Sequence, residues 1–515
     1  MAGAIVPTGA VVAMSERRRL LAGIVLAFSN FMVVLDMTIA NVSIPAIAGN
    51  IGVSLNQGTW VITSYAVAEG VVVPLTGWLA DRYGVVRVFL LALLGFGIFS
   101  ALCGLSTTLG MIVACRIGQG LCGGPLMPMS QTLMARVYPP ERQATAMGLW
   151  AVTVMLAPAL GPILGGYITD GLSWRWIFLI NVPLALLCAG AGYALLRGAE
   201  TQRRRVPIDA VGLGLLVFWI TCLQVMLDNG HDRGWFDDEL IVSLALMAVI
   251  GFTAFVIWEW TDEHPVVDLR VFRHRGFGPA VVAMCAGFGA FFSGVVLVPQ
   301  WLQVTLGYTA FDAGLATAVP AFSSMMMAPI AVRLVGRADP RLLSCLGILW
   351  IGAMISVRTL WTSTTDFTGI AIPLFLQGLG MPFMFMPLTM LLQNTVAREE
   401  AASGAGMQNF ARTMAIALAT AFILTIWSDG QAIARAALVS GMHPAAADAA
   451  LGAMGMNEAA RGAMMSQMVD REAMTLAANR AYLFSALATL LAAGLVWMIP
   501  RPSPERMAAS QPGAH

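Results

Sequence analysis

Charged side chains that lie inside long apolar runs of the sequence include Asp36, Glu69, Arg116, Arg358 and Arg412. An ionised aspartate at the centre of a membrane helix costs about 2.5–3.5 kcal/mol on insertion scales, so such groups usually have a partner and a function. Removal from water favours the protonated form of a carboxyl group. Asp36 is therefore a candidate for binding and releasing a proton, and the alternative is a structural aspartate that caps polar neighbours.

The other four charges suggest pairing or substrate contact. A guanidinium keeps its proton, so Arg116 could hold a carboxyl ionised until a substrate or a conformational change separates them; the alternative is a purely structural pair. Glu69 lies about halfway along its run and is a candidate second proton site, a contact for cationic substrates, or a group without a role. Arg358 and Arg412 could pair with the acids or bind anionic substrates. Further candidates for substrate contact or charge pairing are Asn41, Gln119 and Gln377.

The composition requires a membrane around these residues. The chain has 515 residues, of which 58% are hydrophobic and 11% charged, whereas soluble domains have about 25% charged residues. Apolar runs of 18 or more residues recur, and each could cross a hydrocarbon core of about 30 Å as a helix. A β-barrel would have short alternating segments instead. The sequence predicts an all-α integral membrane protein that contacts lipid and no nucleic acid.

Fourteen spans are predicted from these runs. They lie at about 20–42, 58–79, 88–106, 109–135, 144–168, 176–197, 208–227, 240–260, 277–302, 311–334, 341–361, 367–393, 404–427 and 480–500. The excess of arginine in alternate connections predicts that both termini are cytoplasmic. Residues 428–479 then form a periplasmic loop, which could be a lid, a partner-docking element or a partly ordered amphipathic hairpin.

An internal repeat divides the spans into two sets. Gln119-Gly120-Leu121 recurs 258 residues later as Gln377-Gly378-Leu379 (377 − 119), and other landmarks keep nearly the same offset. This period predicts two parallel six-helix halves with two inserted helices between them. The predicted divisions are a cytoplasmic segment 1–19, an N-terminal half 20–200, a linker with the inserted helices 201–265, and a C-terminal half 266–515.

Two motifs connect the spans to transport. Residues 77–87 resemble the loop signature of the major facilitator superfamily, in which Asp81 can meet a helix N-terminus and a neighbouring arginine when the cytoplasmic side is closed. We take this stretch as a cytoplasmic gate motif formed by Gly77, Asp81, Arg82, Gly84 and Arg87. Span 5 resembles the antiporter signature of the same superfamily, in Pro158, Gly161, Pro162, Gly165 and Gly166. Its small residues allow close helix packing and its prolines kink the helix.

The chain resembles the 14-helix drug-antiporter branch of this superfamily from span 1, with its Leu35–Pro45 motif, to span 14; Arg116–Gly120 also matches a superfamily signature. The resemblance implies proton-driven efflux of hydrophobic or amphipathic drugs across the bacterial inner membrane by alternating access, with protons as the coupling ion and no other cofactor. It also implies a tripartite pump with a periplasmic adaptor of the EmrA type and a TolC-like outer-membrane channel.

Two alternative functions remain open from the sequence alone. The first is a dedicated exporter of one endogenous compound, such as a siderophore or a fatty acid. The second is a membrane-embedded enzyme, which would need a histidine constellation at a membrane face, but all five histidines lie outside the predicted spans. The seven cysteines lie in apolar runs without paired spacing, so no metal site is predicted. No phosphate-binding loop for ATP is present, so an ion gradient is the expected energy source.

Overall fold

The computed structural model describes residues 14–201, 203, 207–230, 233–263, 265–335, 337–396, 401–441, 451, 453 and 456–500. Fourteen long helices dominate this part of the chain, and none of its residues forms a β-strand. The helices are α1 (Glu16–Ile51), α2 (Leu55–Tyr83), α3 (Val85–Gly104), α4 (Leu109–Val137), α5 (Pro140–Gly171), α6 (Trp176–Ala199), α7 (Ala210–Gly230), α8 (Glu239–Thr261), α9 (Phe277–Leu306), α10 (Ala310–Val335), α11 (Pro340–Leu360), α12 (Phe367–Thr395), α13 (Ala401–Gly441) and α14 (Glu458–Val496).

The lengths of these helices are sufficient to cross a membrane. Thirteen of them are long and apolar enough to cross a bilayer, judged by length and composition over the described residues. The remaining helix, α5, has 32 residues and is therefore about 48 Å long at 1.5 Å per residue. A helix satisfies its own backbone hydrogen bonds, as the hydrocarbon core requires. The predicted all-α membrane fold is confirmed, with fourteen long helices in the described part of the chain, thirteen of which meet the criterion for a membrane span.

Aspartate side chains cap the N-termini of several helices. The carboxylates of Asp238, Asp339 and Asp366 accept hydrogen bonds from backbone N–H groups at the starts of α8, α11 and α12. Such caps satisfy donors that the first helical turn leaves free. Gly84, with a φ of +93°, makes the turn between α2 and α3.

The helices pack as two sets of six. In the first set α1 packs on α5 and α6, while α4 packs on α2 and α3; in the second, α9 packs on α13 and α14, while α11 packs on α12 and α14. This is the predicted arrangement of two six-helix halves. The domain boundaries at residues 20, 201 and 266 stay predictions.

The halves meet along three helix pairs, and the inserted helices lie beside one of them. The pairs are α5 with α10, α2 with α13, and α1 with α9. The inserted helices α7 and α8 pack on each other, and α7 also contacts α2 and α13. Thr63 of α2 donates to Asp228 of α7 over 3.3 Å, and Trp235 donates to Asp429 of α13 over 3.2 Å. The inserted pair is thus tied to both halves.

The predicted loop 428–479 is largely helical, which corrects the predicted ends of the last two spans. Helix α13 continues to Gly441 and α14 begins at Glu458. The two extensions pack against each other, with Arg435 and Asp470 paired at 2.7 Å. The segment has the form of the hairpin alternative, while most of its tip lies outside the described residues, as does the predicted segment 1–19 up to residue 13.

Candidate functional site

The centre of the N-terminal half contains a buried ion pair. Arg116 Nη1 of α4 lies 2.6 Å from Asp36 Oδ2 of α1, and both side chains are inaccessible to solvent. Arg116 also donates through Nε to the carbonyl oxygen of Val61 over 2.8 Å. This second bond fixes the guanidinium on α2. The structure therefore joins two of the predicted coupling residues and connects three helices at one point.

Neutral polar groups complete the shell around Asp36. Its Oδ1 atom accepts hydrogen bonds from Asn181 Nδ2 at 2.7 Å and from Gln119 Nε2 at 3.0 Å. The same two amides donate to Ser100 Oγ, and Arg116 Nη1 donates to Gln119 Oε1 at 2.9 Å. Both carboxylate oxygens of Asp36 thus accept hydrogen bonds from buried side chains.

Aromatic rings close the cluster against water. The guanidinium of Arg116 lies 4.2 Å from the centre of the Tyr65 ring and 5.5 Å from that of Phe178. Cation–π contact stabilises a cation that has left water. Removing one partner of a buried ion pair leaves the other charge unpaired. Protonation of Asp36 would therefore leave the Arg116 guanidinium without its anion.

The antiporter motif of α5 fixes the position of α1 close to Asp36. A methyl group on Gly165 would lie 2.6 Å from the carbonyl oxygen of Ile39, and one on Gly161 would lie 2.8 Å from Thr38 Cβ. Thr38 also donates to the carbonyl oxygen of Ala157 over 3.3 Å. Glycine is required for this approach, which sets α1 against α5 two or three residues beyond Asp36.

The same motif also reaches the other half of the protein. A side chain on Gly166 would collide with the backbone of Phe311 in α10, and a side chain on Gly314 of α10 would collide with Pro162. Beyond them, Asp170 accepts hydrogen bonds from the backbone nitrogen atoms of Ala310 and Phe311, at 3.3 and 2.7 Å. The end of α5 thus caps the start of α10 across the seam between the halves. Pro158 lies within α5, four residues before Pro162.

The predicted gate motif is at the end of the bundle where α1 begins. Asp81 is exposed and forms no hydrogen bond or ion pair with the described residues, while Arg82 lies over the rings of Trp78 and Tyr83. The N-terminus of α3 is instead capped by Glu200, whose two carboxylate oxygens accept from Val86 and Arg87 at 3.0 and 3.1 Å. The expected contact of Asp81 with a helix N-terminus is therefore made by Glu200. Gly77 and Arg87 are exposed.

The C-terminal half contains a different buried cation. Arg358, 2% exposed, donates a hydrogen bond to Gln377 and lies over the rings of Trp361 and Tyr482 at 5.7 and 5.6 Å. It pairs with no carboxylate among the described residues, so the expectation that it might pair with Asp36 or Glu69 is not met. The repeat is thus reflected in the glutamines, because Gln119 and Gln377 each accept a hydrogen bond from an arginine. The arginines differ in position: Arg116 lies on the same helix as Gln119, and Arg358 lies at the end of the helix before Gln377.

Glu69 and Arg412 face each other across the seam. Glu69 of α2 is buried, its Oε2 atom accepts no hydrogen bond in the described part of the chain, and the charge of Arg412 on α13 is close enough to act on it. The Arg412 guanidinium also lies 4.0 Å from the Met127 sulfur of α4 and 5.8 Å from the centre of the Phe288 ring of α9. Asn41, though buried, does not join the Asp36 cluster.

Ser100, Asn181 and Tyr65 belong to the Asp36 cluster but were not predicted from the sequence as site residues. Asn181 begins the long part of α6, directly before Val182-Pro183, and that polar residue at the start of an apolar run was the one available signal. Ser100 and Tyr65 have no such signal, because single hydroxyl groups are common within apolar helices.

Comparison with known proteins agrees with this fold. A model of the Major Facilitator Superfamily matches residues 26–420. The chain is 40% identical over 489 residues to the multidrug export protein EmrB of Escherichia coli (strain K12), covering 93% of this chain and 95% of that protein. It is 36% identical over 482 residues to the fatty acid resistance protein FarB of Neisseria gonorrhoeae, with the same coverage.

Solved structures with little sequence identity share the fold. A bacterial homologue of the human lysosomal transporter Spinster, in an inward-facing and unoccupied conformation, superposes with a TM-score of 0.64 at 14% identity, covering 95% of this chain and all of that one. The peptide transporter POT in complex with sulfate also gives 0.64 at 14% identity, with 93% and 95% covered. From its fourteen helices and the matches along most of its length, this chain belongs to the Major Facilitator Superfamily.

Proposed function

We propose that this chain is a drug:proton antiporter of a bacterial inner membrane, with both termini in the cytoplasm. It exports hydrophobic or amphipathic drugs by alternating access between its two halves. The observation that carries the proposal is the buried Asp36–Arg116 pair with its shell of amide donors. The likeness to proteins named for multidrug export supports the choice of substrate.

The geometry suggests how a proton is coupled to transport. The Asp36 carboxyl group lies 2.6 Å from Arg116 Nη1, so its negative charge would be paired with a buried cation. A shift of α1 against α4 would remove Arg116, and the buried carboxylate would then bind a proton because an isolated buried charge is costly. Helix α5 contacts both α1 and α10, so motion between the halves reaches Asp36 through α5. The proton is the coupling ion in this scheme, and no other cofactor takes part. Glu69 is a second candidate proton carrier.

Export across two membranes needs further proteins. By resemblance, the partners are a periplasmic adaptor of the EmrA type and a TolC-like outer-membrane channel. Together they would make a tripartite pump driven by the proton motive force. Co-purification of the chain with such an adaptor from membranes of its host tests this part separately.

The proposal is tested with energised inverted vesicles. Adding drug should release protons from vesicles containing the wild type, while Asp36→Asn should bind drug without moving protons. Asp470→Asn is a matched control, because Asp470 also forms an ion pair with an arginine, at 2.7 Å, but on the surface. If Asp36→Asn exchanges protons as well as the wild type, then Asp36 is not the coupling acid. If the wild type moves no protons with any drug of a broad panel, the multidrug function is wrong.

A dedicated exporter of one endogenous compound is the second candidate. It is favoured by the 36% identity to a protein named for fatty acid resistance. A host strain without the gene would then become sensitive to long-chain fatty acids alone, whereas loss of a multidrug exporter would raise sensitivity to several unrelated drugs. A siderophore exporter would instead cause retention of that compound within the cell.

A further inference from the structure

The inserted helices bring together two carboxyl groups that play no part in the transport site. Asp209 immediately precedes α7, and Glu259 lies in the last turn of α8. Both lie at the end of the bundle where α1 begins, because successive helices alternate in direction. The packing of α7 on α8 places them side by side.

One oxygen of each carboxyl group has a clear structural use. Asp209 Oδ1 accepts hydrogen bonds from the backbone nitrogen of Gly212 at 2.7 Å and from Trp258 Nε1 at 2.9 Å. Glu259 Oε2 accepts from the backbone nitrogen of Val267 at 3.0 Å. These bonds fix both side chains, so the direction of their remaining oxygens is set.

The remaining oxygens have no donor and point to the same place. Asp209 Oδ2 and Glu259 Oε1 are inaccessible to solvent, and neither accepts a hydrogen bond from any described residue. The Glu259 side chain is 0% exposed. A carbon atom added to Gly212 would collide with both oxygens at once. The two atoms therefore converge on a single point beside Gly212.

Among the described residues, a further acidic side chain adds to the negative charge at this point. Asp262, at the end of α8, adds a second negative charge near Glu259. Arg270, the first arginine of the following segment, donates to the backbone oxygen of Asp262. Among the described residues, neither Asp209 nor Glu259 forms an ion pair with an arginine or histidine.

Two ionised oxygens cannot stay buried in this arrangement, because like charges repel and each lacks its hydrogen bonds. A single proton on either oxygen converts the repulsion into a charge-assisted O–H···O hydrogen bond. We propose that Asp209 and Glu259 share one bound proton, which forms a proton-binding site between the ends of α7 and α8. This site is separate from the Asp36 cluster and does not depend on the proposed function.

Infrared difference spectroscopy of the purified full-length protein tests the shared proton at neutral pH. The wild type should show the carbonyl band of a protonated carboxyl group that is lost in Glu259→Gln and equally lost in Asp209→Asn. Each variant supplies an amide donor to the other carboxylate, which then ionises. Asp238→Asn, at the opposite end of α8, is the control and should keep the band, because asparagine also caps helices.

Melting temperature against pH gives a second, independent readout. The folded wild type holds a proton that the unfolded chain has released, so its melting temperature should fall as the pH rises and the proton leaves. In Glu259→Gln this fall should be smaller, because the amide replaces the protonated acid.

Three results would overturn the proposal. A band kept in both variants means that neither group is protonated. A band lost in only one variant means that the proton belongs to that group alone. If Na⁺ or K⁺ raises the melting temperature of the wild type but not of Glu259→Gln, and no band is lost, the site holds a metal cation instead.

Discussion

Removing both members of the Asp36–Arg116 pair should cost less stability than the sum of the costs of removing each one alone. Asp36→Asn leaves Arg116 buried without an anion, and breaking a buried pair in this way costs about 3–5 kcal/mol. The double variant Asp36→Asn/Arg116→Gln leaves no unpaired charge. Its cost should fall short of the sum of the single costs by about 0.5–3 kcal/mol, the usual range for residues in one network.

The matched control is a surface ion pair with the same nitrogen–oxygen distance. Arg142 Nη1 and Glu16 Oε1 also lie 2.6 Å apart, but their side chains are 56% and 74% exposed, against 1% and 0% for Arg116 and Asp36. An exposed pair is worth about 0–1 kcal/mol. Equal donor–acceptor distances thus isolate the effect of burial.

The measurement is a double-mutant cycle by denaturant titration of the purified protein in mixed micelles. We expect a large coupling free energy for the buried pair and a small one for the surface pair. Additive costs at the buried pair would refute the reasoning, since they would mean that neither charge depends on the other. Equal coupling at both pairs would show that burial is not the deciding factor.

Three further predictions concern the seam between the halves. Gly166→Val should force the α5 and α10 backbones apart at Phe311 and lower both drug export and melting temperature. If export and melting temperature were unchanged, there would be room for a side chain at Gly166 and the close approach would be refuted. Asp170→Ala should cost about 0.5–2 kcal/mol as a lost helix cap, with Asp170→Asn retaining most of the stability; equal losses in the two variants would contradict a capping role. Glu69→Gln should weaken export of cationic drugs relative to neutral ones, and Arg412→Gln should have the opposite effect, both measured as relative drug resistance; parallel changes in the two variants would argue against charge selection.

The sequence predicted the spans and the central charges because both follow from the cost of leaving water. Asp36 and Arg116 are recognisable in the sequence because apolar residues surround each of them. Their pairing required only that α1 and α4 lie close together. The motif glycines of α5 were predictable for a similar reason, since Gly161 and Gly165 make sense only where two backbones approach.

The rest depended on contacts between distant segments. Asn181 reaches Asp36 from 145 residues away, and nothing in its local sequence specifies that partner. Glu200, which caps α3, lies between basic residues and has no pattern that distinguishes it from an ordinary surface acid. The extensions of α13 and α14 were predicted as a loop because they lie outside the predicted apolar spans, although their mutual packing stabilises both as helices.

Adjacent glycines of α5 face different partners: Gly165 contacts Ile39 of its own half, and Gly166 contacts Phe311 of the other. An α-helix turns by about 100° per residue, so a single inserted or deleted residue between Gly161 and Gly165 would rotate one set of contacts away from the other. Substitutions on the lipid-facing side of α5 leave that phase unchanged. The length of this helix segment should therefore be far less free to vary in evolution than its composition, and libraries made to alter the transporter should vary residues here without changing their number.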